Sequence, residues 1–211
     1  MAYVRGNSNN IIVGAASFFI ADTVLDSTTL PVKVSSESYR ETLADDVSFV
    51  NVGYTSNGLE LDFQPNFGEV QVDQVLDVAK LYKQGMQVNL VTAFAEATLE
   101  NLLISLAFGS DKLTGVKATS AGQSLDLSAG DLGECPVERG IIAVGPGTGD
   151  CAASDSIERI YAAYRALSIQ NVKVSAKRDA ATMFEVTFRL LPDDTDASYG
   201  KLIDRTWTPA S

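Results

Sequence analysis

Few residues of this chain are spaced for chemistry. Gly145-Pro146-Gly147-Thr148-Gly149 follows the apolar run Ile141–Val144 and comes nearest to a phosphate-cradling loop. Such loops work by aiming backbone N–H groups and a helix N-terminus at an anion. With Ile157–Ser168 as a helix and Val172–Ala176 as a strand, the loop would stand at the crossover of a βαβ nucleotide site. The spacing speaks against it. No Gly-Lys-Ser/Thr follows, the third glycine falls one residue early for G-x-G-x-x-G, and several residues separate the loop from any helix. Asp193, Asp194 and Asp196 lack the remaining ligands and the glycine of an EF-hand, and read as a solvated acidic turn. The chain contains no histidine, the commonest general base and metal ligand. Cys135 and Cys151 are too few for a four-thiolate zinc site, and no serine sits in a G-x-S-x-G elbow with a base. No catalytic, cofactor-binding or metal residue is assigned, no cofactor is expected, and the chain reads as a non-enzyme.

The elements around these residues are mostly strands. The chain has 211 residues, enough to bury a sizeable core, with 45% apolar and 20% charged residues. Its net charge of −11 suits solubility and repels nucleic acid, because phosphate binding needs clustered Lys and Arg. The two cysteines read as reduced thiols, with a single bridge as the alternative. Ile11–Ala21 is too short to span a bilayer and too poorly preceded by basic residues for a secretory signal.

Residues 1–10 read as a polar terminus, loose or docked on a neighbour. Ile11–Asp22 and Val47–Tyr54 read as strands, with a short strand at Leu30–Val34. Ser35–Asp46 is polar and aperiodic and reads as a long loop. Ser56-Asn57-Gly58 is a hairpin-turn signal. Leu59, Leu61 and Phe63 alternate with Glu60, Asp62 and Gln64; after a turn at Pro65–Gly68, Val70, Val72 and Val75 alternate with Glu69, Gln71 and Asp73. That predicts a half-buried hairpin with an acidic second face. Ala79–Gln84 reads as a connection, and Met86, Val88, Leu90, Thr92 and Phe94 as one strand face. Leu99, Leu102, Leu103 and Leu106 then build an apolar helical stripe, with Glu96 and Glu100 near its start and Gly109 as the left-handed stop.

Residues 110–136 read as an extended excursion, Glu138–Val144 as a strand and Gly145–Ser156 as a loop. Ile157–Ile169 is open: Ile157, Ile160, Tyr161, Tyr164 and Leu167 fit a helix, with Asp155 and Glu158 resembling a capping box, and a strand is the alternative. Val172–Ala176 and Phe184–Leu190 read as a hairpin. Phe18, Phe19, Phe63, Phe94, Phe108, Phe184 and Phe188 read as core. One domain over 1–211, with a loop-rich insertion at about 110–156, is the simplest organisation.

The order of these parts resembles the major tail tube proteins of long-tailed bacteriophages. The stretches that carry it are IIVGAASFFI, GLELDFQPNFGEVQVDQ, FAEATLENLLISLAFG and VKVSAKRDAATMFEVTFRLLPDD followed by YGKLIDR. They cover about 11–22, 47–109 and 157–206, and the resemblance favours a strand at Ile157–Ile169. It implies a mainly β fold with one flanking α-helix, a β-sandwich or half-barrel related to the type VI secretion tube protein. By that resemblance six subunits close a ring with a continuous inner β-barrel, and rings stack head to tail into a conduit for the genome. The implied partners are the chain itself and tape-measure, tail-terminator and tail-tip proteins, with DNA only in transit and no membrane. The implied place is the virion tail, assembled in the host cytoplasm.

On this reading Glu60, Asp62, Glu69 and Asp73 are candidates for the lumen, where a negative wall would keep DNA from sticking. Ser36, Glu37, Tyr39, Arg40 and Glu41 are candidates for an inter-ring loop that orders on assembly. The alternatives are a type VI-like tube protein conducting effectors, a small nucleotide-binding protein using Gly145–Gly149, and a monomeric β-sandwich binding module.

Overall fold

The computed structural model describes residues 10–74, 77–130, 132–133, 135–149, 156–179 and 181–208. The expected loose terminus therefore lies almost wholly outside the described residues, as does Cys151. The protein is mainly β. Eight antiparallel strands form one sheet: β1 (Ser17–Ala21), β2 (Phe49–Asn51), β3 (Thr55–Val70), β4 (Lys80–Phe94), β7 (Arg139–Pro146), β8 (Ile157–Ser168), β9 (Phe184–Leu191) and β10 (Gly200–Thr206). The remaining two, β5 (Leu113–Gly115) and β6 (Gln123–Leu125), pair only with each other. Two short helices, α1 (Tyr39–Asp45) and α2 (Leu99–Ser105), pack against the main sheet.

The strand order is β2-β1-β7-β8-β9-β4-β3, with β10 also on β8. β8 serves both: residues 157–163 pair with β10, and 165–168 pair with β9. The switch sits at a bulge, where Arg139–Ile141 of β7 faces Ala163–Ala166 of β8. There the Tyr164 carbonyl leaves the ladder and accepts from Leu25 N at 2.8 Å.

Around this fork the sheet folds over itself. Phe18, Ile20, Ile141, Ala143 and Ala163 pack against Val88, Leu90, Phe94, Val186 and Phe188 of the other branch, with Leu103 and Ile104 of α2. The rings of Phe18, Phe94 and Phe188 lie 6.1–6.5 Å apart and join three strands. On the reverse face Phe19, Ala21, Ile142, Val144, Ile160 and Tyr164 are covered by Tyr39 and Leu43 of α1. β1 and β7 are thus buried on both faces, which is why they read as unbroken apolar runs. The Arg139–Pro146 strand lies within the span expected to be an insertion, yet it is central to the sheet.

Several expectations need correction. A second helix, α1, stands in the expected loop at Ser35–Asp46. Ser38 caps it, with its hydroxyl accepting from Arg40 N, and Glu41 closes the capping box. Ile157–Ser168 is a strand, so the helical alternative is overturned. β1 and β2 are shorter than expected, and Leu30–Val34 and Val172–Ala176 are not strands. β9 pairs instead with β4 and β8. Gly109 does not stop α2: its φ is −71°, whereas Ala107 takes φ +55°. Phe108 N donates to Leu103 O and Ala107 N to Ile104 O, both at 3.1 Å, a Schellman closure with alanine at the left-handed position.

The largest correction concerns the hairpin. Asn57 and Gly58 are left-handed (φ 64° and 68°), but they form a bulge inside β3 rather than a turn, and Thr92 Oγ1 donates to Gly58 O at 2.9 Å. No turn occurs at Pro65–Gly68. β3 runs on to Val70 and pairs with β4 throughout, so the expected connection at Ala79–Gln84 is the start of β4. Pro65 is tolerated because β3 is an edge strand, where a missing N–H costs no ladder bond.

Candidate functional site

Gly145–Gly149 makes no βαβ site. β7 enters it and β8 leaves it as an antiparallel partner, not as the parallel partner of a βαβ unit. Its glycines serve close packing: a Cβ on Gly147 would stand 2.7 Å from Ile157 Cγ2 and 3.1 Å from the Glu158 backbone. Glu41 and Glu158 line the hollow beside it with Arg40. Arg40 Nε donates to Val144 O at 3.2 Å, and the two carboxylates oppose an anion. The acidic turn folds on itself: Ala197 N donates to Asp193 O, Ser198 N to Asp196 Oδ1, and Arg165 Nη1 reaches Asp194 Oδ1 at 2.7 Å. Among the described residues no three His, Cys, Asp or Glu side chains cluster as metal ligands. Cys135 is exposed.

The residues assigned to an inter-ring loop are built into the fold. Tyr39 and Leu43 are fully buried. Burial pushes the Tyr39 phenol up to about 12, and its hydroxyl donates to Pro31 O at 3.0 Å. Glu158, itself buried, accepts from Ser38 Oγ at 2.8 Å and Tyr39 N at 2.9 Å, and pairs with Arg205 Nε at 2.9 Å. Arg205 also holds Val34 O and Glu37 O. Ser36 and Glu41 are exposed, and Glu37 and Arg40 half-buried.

What the fold leaves unfinished is the β3–β4 hairpin. Its proximal half belongs to the core. Its distal half, roughly Phe63–Val70 with Lys80–Gln84, projects as an arm exposed on nearly every residue. Alternation assigns its two faces. Leu61, which packs on the core, shares a face with Phe63, Pro65, Phe67 and Glu69, opposite Met86 and Leu81. The core face thus continues outward uncovered, with Phe63 52%, Phe67 53% and Leu81 60% exposed. Phe63 is therefore not the core residue that alternation suggested.

The reverse face carries Glu60, Asp62 and Gln64. Asp62 stands opposite Asn89, and Asn89 opposite Arg189, so this face is polar across three strands. Asp62 also accepts from Gln64 Nε2. The four candidate lumen residues accordingly do not share a face. Glu60 and Asp62 do, Glu69 points the other way, and Asp73 lies in the turn beyond β3. The expectation failed because it placed a turn where the strand continues.

At the base of the arm the sheet opens. β10 continues the line of β9 along β8, but β4 diverges from β10 instead of pairing with it. Between them lies an apolar cleft of about 120 Å³, with Leu61, Phe63, Val88, Tyr161 and Leu202 among its walls and Lys201 at its rim. Tyr199 braces the gap, its hydroxyl donating to Met86 O at 2.6 Å. The volume accepts a side chain and falls short of the ~300–1,000 Å³ of small-molecule sites. Sequence reasoning missed arm and cleft alike. The signal was present: Leu61, Phe63, Pro65 and Phe67 keep a period of two through the supposed turn.

No protein-family model matches the chain, and comparison with curated proteins finds no match. Among the described residues no helix is long and apolar enough to cross a membrane.

Proposed function

We propose that this chain is the structural subunit of a phage tail tube, self-assembling through its β-sheet into hollow, stacked rings. One observation carries the reading: β3 is a 16-residue edge strand, with no neighbour on its outer side among the described residues and an uncovered apolar face on its distal half. Long exposed edges invite pairing with another chain and are normally blunted. Here the edge is long: the Asn57-Gly58 bulge and Pro65 interrupt it, but its distal half keeps an exposed apolar face. The order of strand, hairpin, helix and closing strands that resembles the tail tube family supports the same reading, as does the absence of histidine. The interface is heterologous, and such contacts close into rings or propagate as filaments.

In this assembly the polar face bearing Glu60 and Asp62 lines the lumen, where negative charge keeps a polyanion from adhering. Tape-measure, terminator and tail-tip proteins are the other partners, and the virion tail is the site of action. The exposed Ser36, just before α1, and Glu41, in its first turn, serve contacts between rings. Negative-stain microscopy of the purified protein at rising concentration tests the reading. Rings or hollow tubes are expected; a protein that stays monomeric at every concentration overturns it. In assembled particles, Glu60→Lys with Asp62→Lys slows DNA release; unchanged release removes these residues from the lumen.

A further inference from the structure

We infer that the hollow between the start of β1, the end of β2 and α1 is a binding site for a monocarboxylate carrying a flat apolar body. It measures about 440 Å³, inside the ~300–1,000 Å³ of small-molecule sites. Arg40 sets its chemistry. The Arg40 Nε donates to Val144 O at 3.2 Å, which pins the guanidinium across the end of β7. Its two terminal amino groups find no acceptor among the described residues, and it joins no ion pair there. The side chain is nonetheless half-buried, and desolvating a guanidinium without a counter-charge costs free energy. With 27 acidic against 16 basic side chains, the chain had ample means to pair it.

The rest of the wall matches this demand. Asn51 Oδ1 accepts from Gly53 N, and Glu96 Oε1 accepts from Tyr54 N, both at 2.9 Å. Gly53 has φ +80°, and a Cβ there would collide with the Glu96 carboxylate, so this turn needs glycine. The clamp presents Tyr54 on the wall with 80% of its surface exposed. Ser17 Oγ, Thr55 Oγ1 and Asn51 Nδ2 also belong to wall residues and make no hydrogen bond among the described residues. Donors therefore outnumber acceptors. The planar fork of arginine takes a carboxylate or a phosphate through two parallel bonds. Glu96, the one carboxylate on this wall, decides between them, because its charge repels a dianion about twice as strongly as a monoanion. The neighbouring hollow beside Gly147 holds both Glu41 and Glu158 and is the poorer anion site. The Tyr54 ring gives an apolar, flat ligand a face to stack on. Neither the arm nor β10 takes part, so the site is independent of how copies assemble.

Sodium benzoate is the probe, titrated into the isotope-labelled full chain at constant ionic strength and followed by amide NMR. Benzamide, acetate and inorganic phosphate are the controls; they lack the charge, the ring and the single charge respectively. Benzoate is expected to bind most tightly, with shifts centred on Arg40, Asn51–Thr55 and Glu96. Arg40→Gln should weaken benzoate by about tenfold, the weight of one charge-assisted contact, and leave benzamide unchanged. Tyr54→Ala removes an exposed ring, keeps the fold, and should bring benzoate down to the level of acetate. Glu96→Gln keeps an oxygen for Tyr54 N but loses the charge, so it should tighten benzoate and admit phosphate. A merely structural role for Arg40 or Glu96 predicts none of these selective changes. Should Arg40→Gln unfold the chain, Arg40→Lys keeps the charge without the fork and reads the same contact. Benzoate that binds the wild type no better than benzamide overturns the site. Phosphate binding as tight as benzoate, or shifts centred elsewhere, does the same.

Discussion

Ala107 shows how much a single residue can carry against its own preference. It holds the left-handed position that closes α2, where an L side chain costs roughly 1–2 kcal/mol relative to glycine. Ala107→Gly is therefore expected to stabilise the protein by about 1 kcal/mol, read as a raised urea midpoint with unchanged slope. Acid sensitivity also begins with single side chains. The Arg159 guanidinium, 2.5 Å from Asp204, holds that carboxyl below its usual range, and the hydrogen bond from Gln123 does the same for Glu100. A carboxyl whose folded pKa is depressed adds stability above its unfolded value, near 4, and loses it as pH falls through the folded value. The thermal midpoint should hold near neutrality and decline below about pH 4. Asp204→Asn should flatten that decline slightly, by ~0.2–1 kcal/mol, because the pair is solvent-exposed.

Among the elements, α1 depends on the strand beneath it. Seven residues are too few for a stable isolated helix. What holds them is Tyr39 and Leu43 in the core, the Ser38–Glu41 box, and the Glu158 carboxylate shared with Arg205. Glu158→Ala leaves Arg205 buried without its partner. A loss of about 3–5 kcal/mol is expected, with hydrogen exchange rising first over 38–45. Excision of 36–45 likewise removes core residues, so it yields unfolded protein rather than soluble subunits that fail to elongate. The box Ser38-x-x-Glu41 was legible beforehand. Its helix was not, because two apolar residues four apart in a polar stretch look like noise until a sheet lies against them. At Ile157–Ser168 local spacing pointed the opposite way, to a helix, whereas the strand favoured by the resemblance is what forms. Burial alternates along the first half of β8, but Glu158 holds one of the buried positions and a bulge interrupts the second half, so Ile157, Ile160, Tyr161 and Tyr164 imitate helical spacing.

In the whole molecule, a well-packed core and an unfinished arm are separable. The Phe18, Phe94 and Phe188 cluster and the fork at β8 lie in the body, whereas Phe67 and Leu81 belong to neither core cluster and are more than half exposed. Replacing 66–83 by a two-residue Asn-Gly turn should keep the thermal midpoint within a few degrees and abolish association in sedimentation velocity. A collapse of the midpoint would show that the arm instead supports the body.

The residues by themselves determined the class: a mainly β chain with a capped apolar helix at α2, no histidine, and a glycine loop unfit for phosphate. They also placed β7, β9 and the Met86–Phe94 face, because local alternation and unbroken apolar runs are short-range properties of strands. Tertiary structure decided the rest. Asn57-Gly58 became a bulge because β4 was long enough to pair past it, and β3 carried on through Pro65 because it lies at an edge. The divergence of β4 from β10, which opens the cleft, depends on strands more than a hundred residues apart, a relation no local spacing encodes.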